Sequence, residues 1–348
     1  MKFPWRIIGH HKILEKLEKE FEEKKLSHSY LFSGPREIGK FFLVKTFSEL
    51  LQCEHGNLCR NCPSCIQVEK NIHPSTTVVD ELWMKDKMED FEELAKYSNF
   101  DQSHRKKTGK KSDQIGIDDV LEFTASLSQK TNSAYKVCLV RNIERMTEEA
   151  MNAFLKILEE PPEKTIFLLT TTHQEMLLPT IVSRTRVIEL GLTPNSILEE
   201  RLAEPDFGNF SAAEKEKILT LSQGRPARLL RFRDDPEFLR TQDQFFSDLA
   251  RMLQKKNLPE LFNFAAELAE PQASDRLSEF LEGLIYFLRT LLREKTFGKG
   301  LFLTQEFSSA ELLAILAMTE LTQKRLESNV NKRLALEQLF LSFVEPTT

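Results

Sequence analysis

The sequence lacks any apolar stretch long enough to cross a membrane. No run approaches the roughly 20 residues that span a bilayer, and the opening MKFPWRIIGHHK has neither the apolar core nor the small-residue cleavage site of a secretory signal. We therefore predict a cytoplasmic protein with no membrane partner.

An excess of positive charge is also missing. The chain's 348 residues include 48 Lys and Arg against 53 Asp and Glu, which gives a net charge of −5. A free-standing nucleic-acid-binding module carries a basic surface, so this class of protein is disfavoured. The hydrophobic fraction of 41% excludes disorder as the main state, and the length predicts two or three domains.

Cysteine is scarce and unevenly placed, since four of the five cysteines fall between Cys53 and Cys65 and only Cys138 stands apart. In a reducing compartment this clustering indicates a metal site rather than a disulfide framework. Cys53, Cys59, Cys62 and Cys65 have a spacing that suits tetrahedral Zn²⁺ bound by four thiolates, and such a closed site is structural. Iron–sulfur ligation and free buried thiols are the alternatives.

Short strand-like runs alternate with helical patterns in the first half of the chain, which predicts an α/β domain with a parallel sheet covered by helices. These five runs are 29–32, 76–79, 136–140, 165–169 and 186–189. Beyond residue 193 the strand-like runs disappear, and the remaining segments show helical spacing. The stretch 85–113 interrupts the α/β pattern, and we expect an exposed insertion there whose basic residues are more typical of a solvated loop than of a DNA contact.

The first predicted strand leads into Gly34, Gly39 and Lys40, which match the phosphate-binding loop between a strand and a helix. Backbone N–H groups of such a loop wrap a phosphate, and the lysine reaches its oxygens. The motif continues with a Ser or Thr that holds Mg²⁺, whereas Phe41 supplies no oxygen. A Gly-rich turn without a ligand is the alternative.

The predicted strand 136–140 has a matching defect. In phosphate-loop ATPases a strand ending in acidic residues supplies the Asp that holds Mg²⁺ and a Glu that activates water. Here Arg141 and Asn142 follow the strand, and the charge of Arg141 would repel Mg²⁺. We therefore predict no ATP hydrolysis by this chain, although Lys40 would still permit nucleotide binding. In the alternative, a self-sufficient ATPase, Glu144 is the nearest replacement acid.

Four segments together resemble the bacterial clamp-loader branch of the AAA+ ATPases. They are 34–40, 53–65, 151–162 and 178–184. Within this branch, Phe41, Arg141 and Asn142 favour the catalytically degenerate delta-prime group over the gamma/tau motor subunits. The alternative is an ATP-hydrolysing gamma/tau-type motor or a related AAA+ helicase.

The resemblance implies an architecture and a set of partners. It implies an AAA+ domain over 1–192 with a zinc module at about 51–70, a helical lid over 193–235 and an all-α collar over 236–348 through which subunits assemble. The implied partners are the gamma/tau motor subunits and the delta subunit, and through the complex the sliding clamp and primer-template DNA. The implied cofactor is structural Zn²⁺, while ATP and Mg²⁺ are not used by this chain itself.

The resemblance also assigns roles to individual residues. Arg184, which follows Ser183, resembles the arginine finger that acts in trans on the ATP of an adjacent subunit. From spacing alone, an ordinary surface arginine or one that pairs with Glu189 is the alternative. Thr171 lies at or next to the sensor-1 position of the family, and the segment 224–228 resembles its sensor-2 region.

Overall fold

The protein is described by a computed structural model that covers residues 2–79, 114–127, 133–208, 210–270, 273–297, 307–326 and 330–345. The predicted insertion 85–113 lies outside the described residues. The chain forms two compact units, one of Met1–Glu204 with Gly224–Arg228 and the other of Pro205–Gln223 with Leu229–Thr348. The three-part division inferred from the sequence stays a prediction.

The first unit contains a five-stranded sheet in which every neighbouring pair is parallel. The strands are β1 (Ser29–Ser33), β2 (Thr76–Val79), β3 (Lys136–Val140), β4 (Thr165–Thr171) and β5 (Arg186–Glu189). Their spatial order is β2-β3-β4-β1-β5. The predicted α/β fold class is therefore confirmed, with β4 extending past the predicted run to Thr171.

The helices of this unit are α1 (His11–Glu22), α2 (Lys40–Gln52), α3 (Pro63–Glu69), α4 (Ile117–Leu127), α5 (Glu148–Glu159), α6 (Pro179–Ser183) and α7 (Asn195–Leu202). Helix α5 shows how local sequence sets such boundaries. The hydroxyl of Thr147 accepts a hydrogen bond from the N–H of Ala150 at 3.2 Å, and acidic residues fill the first turn. Both features stabilise a helix N-terminus, and Pro161 follows the helix end, where the helix cannot continue.

Apolar layers cover both faces of the sheet. On one face, Phe154 of α5 packs edge-to-face on Phe123 and Phe167, with ring centroids 5.8 and 5.4 Å apart. On the other face, Phe47 of α2 packs on Tyr30 at 5.7 Å. Because the strands are parallel and covered on both faces, the loops that follow β1, β3 and β4 meet at one edge of the sheet, where such folds place their sites.

The second unit is built from helices. They are α8 (Ala212–Ser222), α9 (Pro226–Asp234), α10 (Pro236–Lys255), α11 (Leu258–Ala269), α12 (Ser274–Phe297), α13 (Ser309–Leu326) and α14 (Lys332–Val344), of which α9 begins in the first unit. Phe280 packs against both Phe264 and Phe340, with ring centroids 5.2 and 5.8 Å away. The predicted helical C-terminal region is confirmed. Across the described ranges, no helix has the length and apolar character that a membrane crossing requires.

Candidate functional site

The loop between β1 and α2 is shaped by two glycines. Gly39 precedes α2 with a φ of 97° and has open space around it, whereas a Cβ on Gly34 would lie 2.4 Å from the carbonyl oxygen of Leu190. That distance is far below van der Waals contact, and the obstacle is backbone. The packing of the loop against the chain after β5 therefore requires Gly34, whether or not a phosphate binds.

Lys40 begins α2, and its side chain folds back onto this loop. Its ammonium donates hydrogen bonds to the carbonyl oxygens of Gly34 at 2.6 Å and Pro35 at 2.8 Å, and to the hydroxyl of Thr172 at 3.2 Å. Only 7% of Lys40 is exposed. An ammonium has three N–H donors, and these three protein acceptors match that number. A phosphate would have to displace contacts within the chain to reach Lys40.

The two residues that depart most from the ATPase pattern contact each other. The guanidinium carbon of Arg141 lies 5.0 Å from the centroid of the Phe41 ring, which is within the range of a cation–π interaction. An ATPase would have a hydroxyl and a carboxylate here, which are oxygen ligands for Mg²⁺. The neighbouring Asn142 has a positive φ of 51°, and its N–H donates to the hydroxyl of Thr170 at 3.0 Å. None of these three predicted residues offers a carboxylate to a metal.

The end of β4 brings Thr172, rather than Thr171, to the ammonium of Lys40. Thr171 is fully buried, and its hydroxyl accepts from the N–H of His173 at 3.1 Å. Thr172 has the opposite orientation because successive residues of an extended chain alternate. Its N–H donates to Oε1 of Glu144 at 2.9 Å. The sensor role of Thr171 stays a prediction, and Thr172 is a site residue that the motif did not reveal.

The segment Gly224–Arg228 is joined to the middle of the phosphate loop. The guanidinium of Arg228 contacts Oε2 of Glu37 through both Nε and Nη2 at 2.5 Å, and the N–H of Ala227 donates to the carbonyl oxygen of Glu37 at 3.0 Å. The two charged side chains are only 11% and 25% exposed. Such a shielded pair is screened less by solvent than a surface pair, so it helps hold Glu37 at its positive φ of 58°.

Arg184 lies away from these contacts, immediately after α6. Its Nη2 pairs with Oε1 of Glu159 at 2.6 Å, and its Nη1 donates to the carbonyl oxygen of Thr180 at 3.1 Å. The pairing with Glu189 that spacing suggested is not the one that forms. The side chain of Arg184 is 36% exposed.

The cysteine cluster forms where α2 ends and α3 begins. The sulfurs of Cys53 and Cys59 are 3.7 Å apart, and Zn–S bonds of about 2.3 Å in a tetrahedron give an edge of about 3.8 Å. The ligand atoms of Cys53, His55, Cys59 and Cys62 all lie within 4.8 Å of one another. This donor set fits a structural metal site, and it contains His55, which the spacing of the cysteines did not indicate. Cys65 packs against Cys53 and Cys62 but stands outside that set of four.

The acidity of the thiols differs across the cluster. Burial raises the pKa of Cys59, but the N–H groups of Asn61 and Cys62 and the ring of His55 outweigh it and bring the pKa to about 6. Burial raises the pKa of Cys65 above its usual range. Because a cysteine binds a metal as its thiolate, the lowered pKa of Cys59 favours metal binding, whereas Cys65 becomes a thiolate only when a metal replaces its proton.

We predict that the purified chain binds one equivalent of Zn²⁺ and that Cys59→Ser loses it. Thiolate is the softer ligand, so Cys65→Ser should also lose the metal, while His55→Ala should retain it. Metal analysis by mass spectrometry after gel filtration measures the stoichiometry, with Cys138→Ser as the matched control because that thiol is buried in β3. Zinc retained in Cys65→Ser and lost in His55→Ala would contradict the four-cysteine set.

Comparisons with known proteins agree on one group of replication proteins. The chain is 24% identical to the DNA polymerase III subunit delta' of Bacillus subtilis, over 96% of both chains. It is 26% identical to the subunit tau of the same organism over 83% of this chain, but it spans only 50% of that relative's length. It spans 30% of the subunit gamma/tau of Mycobacterium tuberculosis, at 31% identity.

A solved structure gives a weaker likeness, and a family profile gives a stronger one. The Thermotoga maritima RuvB branch migration motor superposes with a TM-score of 0.49 at 16% identity, over 86% of this chain and 98% of that one. The profile described as DNA polymerase III, delta subunit, matches residues 9–193. This match covers more than half of the chain and includes the phosphate loop, the cysteine cluster and Arg184. The chain therefore belongs to the delta/delta-prime family of DNA polymerase III subunits.

Proposed function

We propose that this chain is a delta-prime-type stator of a bacterial clamp loader. It does not hydrolyse ATP itself, presents Arg184 to ATP bound by a neighbouring subunit, and helps to load the sliding clamp onto primed DNA. The observation that carries this proposal is the state of the phosphate loop, in which Lys40 is bonded to the loop's own carbonyl oxygens. The similarity to a subunit delta' along nearly the whole length of both chains supports it.

The inability to hydrolyse ATP follows from the residues at the carboxyl edge of the sheet. Hydrolysis needs Mg²⁺ at the β- and γ-phosphates and a group that orients water. Phe41 and Arg141 supply a ring and a positive charge instead, so a metal would meet repulsion and find no carboxylate at that position. The same residues that block catalysis pack together, which is compatible with a fixed structural role in a ring of subunits.

The partners follow from that role. The gamma/tau motor subunits would bind ATP and receive Arg184, the delta subunit would complete the ring, and the sliding clamp and primer-template DNA would be contacted through the complex. Zinc held by the cysteine cluster would stabilise the segment between α2 and α3 without taking part in chemistry. A cytoplasmic location is expected for such a replication complex.

The isolated chain is expected to show no ATP turnover above background, and Lys40→Ala should leave that baseline unchanged. The variant should instead lower the free energy of unfolding by about 1–3 kcal/mol, because it leaves buried carbonyl groups without a donor. A phosphate-release assay and urea unfolding provide the two measurements. Turnover that disappears in Lys40→Ala would contradict the stator proposal.

A gamma/tau-type motor is the second candidate, and the position of Glu144 favours it. Its carboxylate is linked through Thr172 to Lys40, and the similarity to a subunit tau covers 83% of this chain. If this candidate were correct, the isolated chain would hydrolyse ATP and Glu144→Gln would remove the activity. Under the stator proposal the wild-type chain and Glu144→Gln give the same background rate.

A further inference from the structure

Arg184 has a defined resting place on its own chain. One terminal nitrogen of its guanidinium is 2.6 Å from a carboxylate oxygen of Glu159, and the other donates to the carbonyl oxygen of Thr180. Both terminal nitrogens of the guanidinium are therefore bonded to residues of the same chain. We propose that Glu159 is a positioning residue, which holds Arg184 at rest and releases it to a phosphate group bound by the adjacent subunit.

The elements that carry this pair are rigid. Glu159 is the last residue of α5, directly after the buried Leu158, and Arg184 directly follows α6, whose Ile181 is also fully buried. The N–H of Arg184 donates to the carbonyl oxygen of Ile181 at 3.1 Å. The backbones are thus fixed by the core, so the change from rest to engagement requires only rotation of the arginine side chain.

The placement of Glu159 does not serve helix stability. A negative charge at a helix C-terminus is unfavourable because the helix dipole is negative there. The ion pair is also exposed, with 36% of the Arg184 side chain and 49% of the Glu159 side chain accessible, and exposed pairs contribute little to stability. Glu159 thus destabilises the C-terminus of its helix, and its ion pair adds little stability. Its presence is better explained by its effect on Arg184.

A phosphate can replace the carboxylate of Glu159 as the partner of Arg184. Binding both anions at once would be unfavourable. Guanidinium binds phosphate and carboxylate with the same fork geometry, and the two anions repel each other when they are close. The weakness of an exposed ion pair makes Glu159 an exchangeable partner. Engagement of the neighbouring nucleotide therefore means loss of the contact with Glu159.

The test is the single-turnover rate of ATP hydrolysis by the reconstituted loader without clamp or DNA, the state in which we expect Arg184 to be held by Glu159. A steady-state rate would hide a change at one site among several. Glu159→Gln should raise the rate about two- to fivefold, as expected from the strength of an exposed ion pair. The matched control is Glu160→Gln, because Glu160 is exposed and lies just beyond α5, and it should leave the rate unchanged. In an Arg184→Ala background, Glu159→Gln should have no effect.

This inference rests on the proposed function of Arg184, and the same four variants, compared with the wild type, separate the two. If Arg184→Ala leaves turnover unchanged, both the finger role and the role of Glu159 are wrong. If Arg184→Ala slows turnover but Glu159→Gln has no effect or slows it too, only the role of Glu159 is wrong. Thermal melting of each variant establishes that it is folded, and a rate increase that persists without Arg184 would also overturn the inference.

Discussion

Replacing Arg184 with alanine in the reconstituted loader is expected to slow ATP turnover at the adjoining site on the order of 10³-fold or more. The reason is electrostatic: an arginine supplied in trans stabilises the charge that develops on the transferring phosphoryl group. Single-turnover hydrolysis isolates the site that this chain serves, since the remaining sites would mask the loss in a steady-state rate. The rate of clamp loading should fall as well if loading requires ATP hydrolysis at every site.

The control for this variant is Arg184→Lys, which keeps the positive charge but loses the planar fork. It should recover part of the rate, while gel filtration shows that both variants still assemble. The alanine variant removes only an exposed ion pair with Glu159, so its stability should change little. Unchanged turnover in an intact complex would show that Arg184 is an ordinary surface residue.

The fold was largely predictable from the sequence because its signals are local. The five strands follow from short β-branched or aromatic runs, and each was found within two residues of its expected ends. The start of α5 follows from Thr147, and its end from the prolines that follow Glu159. Caps, periodicity and prolines act over a few residues, so they can be recognised without a structure.

The candidate site was predictable only where a motif spells it out. Phe41 and Arg141 were recognised as departures from a pattern, but their contact was not. The partners of Lys40 and Glu37 were also missed, because Thr172 is 132 positions from Lys40 and Arg228 is 191 positions from Glu37. Contacts between such distant residues depend on how strands and helices are arranged in the fold, which spacing along the chain does not give.

The cysteine cluster shows a different limit. Counting cysteines predicted a metal site and four ligands, but His55 enters the set of close ligand atoms because the loop after α2 turns at Gly56, which has a φ of 62°. A histidine two residues from a cysteine carries no distinctive spacing signal. The identity of the fourth ligand is therefore a question of loop geometry, and metal analysis of the variants is the direct way to answer it.

The residues of the phosphate loop that depart from the ATPase motif, and those around them, contact other residues of the chain. The guanidinium of Arg141 makes a cation–π contact with the ring of Phe41. Lys40 is hydrogen-bonded to loop carbonyl oxygens and Glu37 is paired with Arg228, all within the first unit of the chain. The side chains of Lys40, Phe41 and Arg141, which stand where an ATPase contacts nucleotide or metal, thus have protein partners here. This arrangement accounts for a loop that keeps the glycines and the lysine of the motif although Phe41 stands in place of its Ser or Thr.

Gly34→Ala is expected to lower the free energy of unfolding by about 3–5 kcal/mol, through steric overlap and backbone strain together. The added Cβ would meet the carbonyl oxygen of Leu190 at 2.4 Å. That oxygen cannot move away cheaply, because the N–H of Leu190 donates to the carbonyl oxygen of Ser33 at 2.8 Å. Urea unfolding followed by circular dichroism measures the change.

Gly39→Ala is the matched comparison within the same loop. No heavy atom lies within 4 Å of its added Cβ, so only the positive φ of 97° opposes the substitution, and the expected loss is about 1–2 kcal/mol. If the two glycines served phosphate binding alone, we would expect the two variants to lose similar amounts of stability. A clearly larger loss of stability in Gly34→Ala would indicate that the glycine is required by packing against the chain after β5. Equal losses would contradict that explanation.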